Sequence, residues 1–171
     1  MDGVKPEDTE VAAFIAGQGF RLAATPTIDQ LDPAVYDAIF YVGGHGTMWD
    51  FPDNEELAKF AASIYGSGGV VGAVCHGPAG LVNLRLDDGS YLVDGKEVTS
   101  FTNDEEAAVG LLDAVPFALE SKLIERGARF TKAASFTEHA VADRRLITGQ
   151  NPASAVRTAE LVIQALQDRA S

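Results

Sequence analysis

Residues 70–78 read Val70-Val71-Gly72-Ala73-Val74-Cys75-His76-Gly77-Pro78. An unbroken run of small and β-branched residues describes a strand buried on both faces, the habit of a parallel sheet. Gly77 and Pro78 break it, and Pro78 suits the first turn of a helix. The single cysteine of the chain is therefore expected on a sharp strand-to-helix turn, the geometry of a nucleophile elbow with Cys in the place of Ser. A helix N-terminus beside the sulfur favours the thiolate, so a low-pKa thiol is expected. The plainer reading of a lone cysteine in a strand is a small buried hydrophobe. His76 directly after it, and its place at a loop mouth, weigh toward chemistry.

Upstream, Ala38–Val42 reads as a second buried strand, and Gly43-Gly44-His45-Gly46 follows it. Both loops belong at the carboxyl edge of a parallel sheet, where the sites of open α/β folds form. The backbone N–H groups of Gly44 and His76 can together hold an oxyanion. A phosphate cradle or a plain turn uses the same glycines, but no Lys-Ser/Thr follows as a nucleotide loop requires.

The remaining segments alternate between helix and strand. Thr9–Gly17 reads as an amphipathic helix with Val11, Phe14 and Ile15 on one side, and residues 24–33 as a loop. Asp53, with Glu56 three residues on, reads as the capping box of a helix with Leu57, Phe60, Ala61 and Ile64 inward. A turn at 86–90 leads to an expected hairpin, Tyr91–Val93 with Lys96–Thr99. Helices are expected over Asp104–Leu112, from Pro116 to Gly127, and from Pro152 with Val156, Ala159, Val162, Ile163 and Leu166 inward. A strand begins at Phe130, and Ala140–Thr148 reads as a hairpin. The alternation gives an α/β doubly wound domain over residues 1–171, with no linker.

The formal net charge is −12, with no Lys/Arg cluster, so neither nucleic acid nor an anionic membrane is an expected partner. One cysteine excludes an internal disulfide and suits a cytoplasmic protein. No apolar stretch approaches the roughly 18 residues of a membrane span, and no signal-peptide core is seen. His45, His76 and His139 are far apart in sequence, so no metal is expected.

Tyr41-Val-Gly-Gly-His-Gly-Thr-Met-Trp-Asp50, Val74-Cys-His-Gly-Pro78 and Ile147-Thr-Gly-Gln-Asn-Pro-Ala-Ser154 resemble the ThiJ/PfpI superfamily. Within it they resemble the heat-shock chaperone/glyoxalase III branch. Class I glutamine amidotransferases are distant relatives. The resemblance implies a flavodoxin-like, mostly parallel sheet with helices on both faces and a small hairpin. It implies cofactor-independent conversion of methylglyoxal to lactate, or a related deglycase activity. It also implies Cys75 as nucleophile and His76 as its partner. The acid lies in Ser100-Phe-Thr-Asn-Asp-Glu-Glu106-Ala-Ala-Val-Gly110, which matches at Glu106, with Glu105 as fallback. On residues alone, Glu106 would be a solvated first-turn carboxylate. Gly43, His45, Trp49 and His139 are expected to line the pocket, His45 by orienting its loop; Trp49 suits a core position equally.

The expected partners are a small 2-oxoaldehyde, unfolded client proteins and a second copy in a homodimer. A holdase chaperone, a redox-sensing protein, and a Cys-dependent amidohydrolase or peptidase are the alternative readings. The family opens with a strand and helix bearing a glutamate that contacts the nucleophilic cysteine. Here Asp2–Asp8 resemble the loop beyond the second strand, and neither Glu7 nor Glu10 sits in the matching motif. The chain is thus expected to be N-terminally truncated relative to the family, with impaired activity.

Overall fold

The computed structural model describes residues 9–169; the Asp2–Asp8 segment lies outside the described residues. In chain order the elements are α1 (Thr9–Gln18), β1 (Ala38–Tyr41), α2 (Thr47–Asp50), α3 (Glu55–Gly66), β2 (Val70–Val74), β3 (Glu97–Val98), α4 (Asn103–Ala108), α5 (Leu119–Glu125), β4 (Arg129–Phe130), β5 (Ala140–Asp143), β6 (Leu146–Gly149) and α6 (Ala155–Arg169). The chain divides into two compact units, one ending at Leu31 and one beginning at Asp32.

In the first unit, α1 forms as expected, and 3-10 turns at Gly19–Ala24 and Ile28–Gln30 follow. No residue of α1 is buried. The run Val11-Ala-Ala-Phe-Ile15 spreads apolar groups around the helix instead of stacking them in one stripe, so the expected amphipathic face does not appear.

The second unit is built on a four-stranded sheet ordered β1-β2-β6-β5. β1, β2 and β6 are parallel, while β5 pairs antiparallel with β6 as the expected hairpin. Every residue of β2 is buried. Its side chains alternate between two faces, as strand geometry requires. Val71 and Ala73 pack with Tyr41, Ala61, Tyr65, Leu81 and Leu146. Val70 packs with Ile147 and with Val162 of α6 on the opposite face. α3 and α6 thus cover opposite sides of the sheet, the doubly wound arrangement that the sequence pattern describes.

Four local expectations are corrected. Asn54, not Asp53, caps α3: its Oδ1 accepts the Leu57 N–H at 2.9 Å. The Tyr91–Thr99 hairpin does not form, because residues 97–98 pair in parallel with β4. Parallel pairing buries Val98 completely, a place a surface hairpin does not offer. The expected helices at 104–112 and from Pro116 shrink to α4 and α5. α6 turns Thr158 and Val162 inward, beneath Ser154 of the 3-10 turn that precedes it, leaving Val156 and Ile163 exposed. The buried hydroxyls satisfy themselves locally: Thr158 Oγ1 donates to the Ser154 carbonyl at 2.7 Å.

The turn after β2 lies directly on β1. A Cβ at Gly77 would overlap the Tyr41 carbonyl, and one at Gly80 would meet the Tyr41 ring. Gly77→Ala is therefore expected to cost about 1–3 kcal/mol, the usual penalty of overpacking a close-packed interior. Urea unfolding measures it, as a lowered midpoint at unchanged slope.

Candidate active site

β1 and β2 are parallel neighbours, so the loops that leave their carboxyl ends lie side by side. Thr47 ties them together: its hydroxyl is 2.8 Å from the Gly44 carbonyl and 3.1 Å from that of His76. Gly43 lets the loops touch, since a Cβ there would lie 2.6 Å from the Val74 carbonyl and 2.7 Å from Cys75 Cβ.

Cys75 adopts φ 61°, a left-handed conformation that costs a non-glycine residue about 1–3 kcal/mol and persists only where its surroundings hold it. Two hydrogen bonds hold it. The Cys75 N–H donates to the Gly149 carbonyl at 2.9 Å, and the Phe101 N–H donates to the Cys75 carbonyl at 2.8 Å. The sharp elbow anticipated from the sequence is present. The backbone N–H groups of Gly44 and His76 both reach the cysteine sulfur.

The acid comes from α4. Thr102 caps this helix in a capping box: its Oγ1 accepts the Glu105 N–H at 3.1 Å, and its own N–H donates to Glu105 Oε2 at 3.0 Å. Glu105 is completely buried. Its Oε1 accepts the Phe136 N–H at 2.7 Å, Asn151 Nδ2 at 2.8 Å and Gln150 Nε2 at 3.1 Å. Burial pushes this carboxyl up, but the donors of Phe136, Thr102, Asn151 and Gln150 outweigh it, and the net shift is downward. Glu105 therefore pins α4 to the loop at 136 and the end of β6. Glu106, one residue on, points to the histidines. Its Oε2 lies 2.7 Å from His76 Nε2 and its Oε1 2.8 Å from His45 Nε2. Of the two acids weighed from sequence, Glu106 is the one that meets His76.

A carboxylate only accepts, so both Nε2 atoms carry hydrogen. That leaves His76 Nδ1 as a lone pair 3.4 Å from Cys75 Sγ. The His45 and His76 rings lie 4.0 Å apart, and Phe101 packs 4.5 Å from His76. The chain Cys75–His76–Glu106 is thus continuous, with His45 on the far oxygen of the acid.

The expected low-pKa thiol is not found. Burial pushes the Cys75 thiol up to about 11, and the Glu105 and Glu106 carboxylates add to the rise; the N–H groups of His76 and Gly44 oppose it. The expected helix N-terminus is a 3-10 turn of five residues, Gly77–Leu81, too short to raise a substantial dipole. Burial also lowers the His76 pKa, against the hydrogen bond that His76 donates to Glu106. The resting pair is a thiol beside a neutral imidazole.

Trp49 and His139, the other two residues expected to line the pocket, make contacts of their own. Trp49 is 58% exposed and lines a cleft with Pro52, Phe117 and Arg126. His139 Nε2 pairs with Thr131 Oγ1 at 3.0 Å, and its N–H donates to Ser154. The anchoring role of Glu105, Gln150 and Asn151 was missed from sequence, although the spacing Thr102-x-x-Glu105 is a readable capping-box signal. Reading the histidines as distant also missed that β1 and β2 bring His45 onto His76.

Residues 3–165 match the model of the DJ-1/PfpI family. The chain belongs to that family. It is 42% identical over 148 residues to a probable glutathione-independent glyoxalase, hsp3103, of Schizosaccharomyces pombe, a match covering 82% of this chain and 57% of that protein. It is 40% identical over 173 residues to Glyoxalase 3 of Candida albicans, covering 97% of this chain and 73% of the relative. Among solved structures, the Rapid Encystment Protein 24 KDa of Francisella tularensis superposes with a TM-score of 0.90 at 40% identity, over 95% of this chain and 73% of that one. The chain thus spans between about half and three quarters of these relatives.

Two predictions follow from the geometry. Glu105→Gln places an amide NH2 against N–H donors whichever way it turns, and should cost about 1–3 kcal/mol, lowering Tm by about 2–4 °C per kcal/mol. Glu106→Gln should move Tm less; differential scanning calorimetry of both variants decides. Alkylation of Cys75 by iodoacetamide should rise with pH to an inflection near the thiol's value of about 11, with no plateau at neutral pH. An inflection below about 8.5, the free-thiol value, would contradict it.

Proposed function

We propose that this chain is a cofactor-independent, glyoxalase III-type enzyme that converts a small 2-oxoaldehyde such as methylglyoxal into its 2-hydroxy acid, with deglycase action on related adducts. The observation that carries the reading is the line from Glu106 through His76 to the strained Cys75, at 2.7 and 3.4 Å. The identity to Glyoxalase 3 of Candida albicans supports the substrate class.

His76 Nδ1 takes the thiol proton as the sulfur attacks the aldehyde carbon, so the base acts on demand and no resting thiolate is needed. A C–S bond forms, and the carbonyl π pair moves to oxygen, where the N–H groups of Gly44 and His76 hold the oxyanion. His76, steadied by Glu106, then relays the C1 hydrogen as a proton to C2 through an enediol. C1 is oxidised and C2 reduced within the substrate, so no external redox partner enters. Water cleaves the resulting thioester and returns the thiol. His45 holds the second oxygen of Glu106. The single cysteine suits the reducing cytoplasm, and a homodimer is the assembly carried with this reading. Among the described residues no helix is long and apolar enough to cross a membrane.

Lactate formed from methylglyoxal without glutathione tests the proposal. Cys75→Ala should abolish turnover, and Glu106→Gln should lower kcat by about 10²–10⁴-fold, the usual worth of one acid–base group. Turnover no faster than in Cys75→Ala would overturn the reading. Protection of citrate synthase from aggregation that persists in Cys75→Ala, or cleavage of peptide substrates, would point instead to the holdase or hydrolase alternatives.

A further inference from the structure

A ring nitrogen of His45, one of His76 and a carboxylate oxygen of Glu106 all lie within 4.8 Å of one another, and the two Nε2 atoms are the ones that meet Glu106. We propose that this trio is a binding site for a divalent cation of zinc type, and that the cation switches the cysteine off. Two imidazoles and one carboxylate are a donor set that zinc accepts, with further positions left to water. The ligands come from three separate supports: the loop after β1, the end of β2, and α4. Glu105 already fixes α4 through its own bonds to residues 136, 150 and 151. The donor atoms converge before any metal arrives, held by the 2.7 and 2.8 Å contacts to Glu106. His45 provides the door: its side chain is 37% exposed, whereas those of His76 and Glu106 are 1% and 5% exposed. The adjacent Glu105 carboxylate and the net charge of −12 favour a cation there.

The proton balance explains the switch. Each imidazole now carries its hydrogen on Nε2, facing Glu106. A metal on Nε2 forces that hydrogen to Nδ1, so binding to the neutral rings needs no net proton release. On His76, Nδ1 is the atom that faces Cys75 Sγ. Once it bears hydrogen it cannot accept the thiol proton. The metal therefore removes the base without touching the sulfur or the fold. The inhibitory half of the inference rests on the proposed function; the binding half does not.

The test uses the whole chain, freed of metal with EDTA. Calorimetric titration with zinc chloride should show one site in wild type, and the same affinity in Cys75→Ala. His45→Gln and Glu106→Gln should each weaken it by more than about 100-fold, beyond the cost of losing an outer-shell partner. Cobalt(II) in place of zinc should give visible d–d bands without a sulfur-to-cobalt charge-transfer band. Zinc should stop methylglyoxal turnover reversibly in wild type, while His45→Gln keeps its own rate at the same zinc concentration. Unchanged affinity in His45→Gln, or loss of binding in Cys75→Ala, overturns the proposed trio. Binding as described together with no metal-free turnover sustains the site and defeats the glyoxalase reading instead.

Discussion

The structure depends on one backbone conformation, the left-handed turn at Cys75. A strand buried at every position cannot end in solvent. It must end at a point where the neighbouring loops can close over it. Here the neighbours are β1 and β6, and each contributes. The loop after β1 approaches closely because Gly43 has no side chain to interfere. The end of β6 accepts the Cys75 N–H through Gly149. The strain is held in place by these contacts, and its effect is to lift the sulfur clear of the strand to where two N–H groups meet it.

Two adjacent carboxylates in α4 divide the remaining work by direction. Successive residues on a helix point about 100° apart, so Glu105 and Glu106 face different surroundings. Glu105 is enclosed by donors from four residues and is an anchor. Glu106 faces two imidazoles and ends the hydrogen-bonded path that runs from Cys75 through His76. The pair works because neither task intrudes on the other: the anchor fixes the helix, and the fixed helix aims the second acid.

The same burial that shapes the path sets its resting state. Removing Cys75 and His76 from water disfavours both charged forms, raising one pKa and lowering the other. An ion pair at rest is therefore replaced by a neutral thiol and a neutral base.

Much of this was legible in the sequence. The run Val70–Val74, the glycines beyond β1, the single cysteine before His76 and the hairpin at 140–148 are local patterns with local causes, and the doubly wound fold and the elbow follow from them. The sequence also narrowed the acid to two neighbours. Only the tertiary structure chose between them, because the choice depends on which side of α4 meets His76 and which meets residues 136, 150 and 151. It alone brought His45 onto Glu106, across 61 positions of chain. It alone turned an expected thiolate into a thiol, since a pKa depends on how much water the surrounding fold excludes and not on which residue comes next.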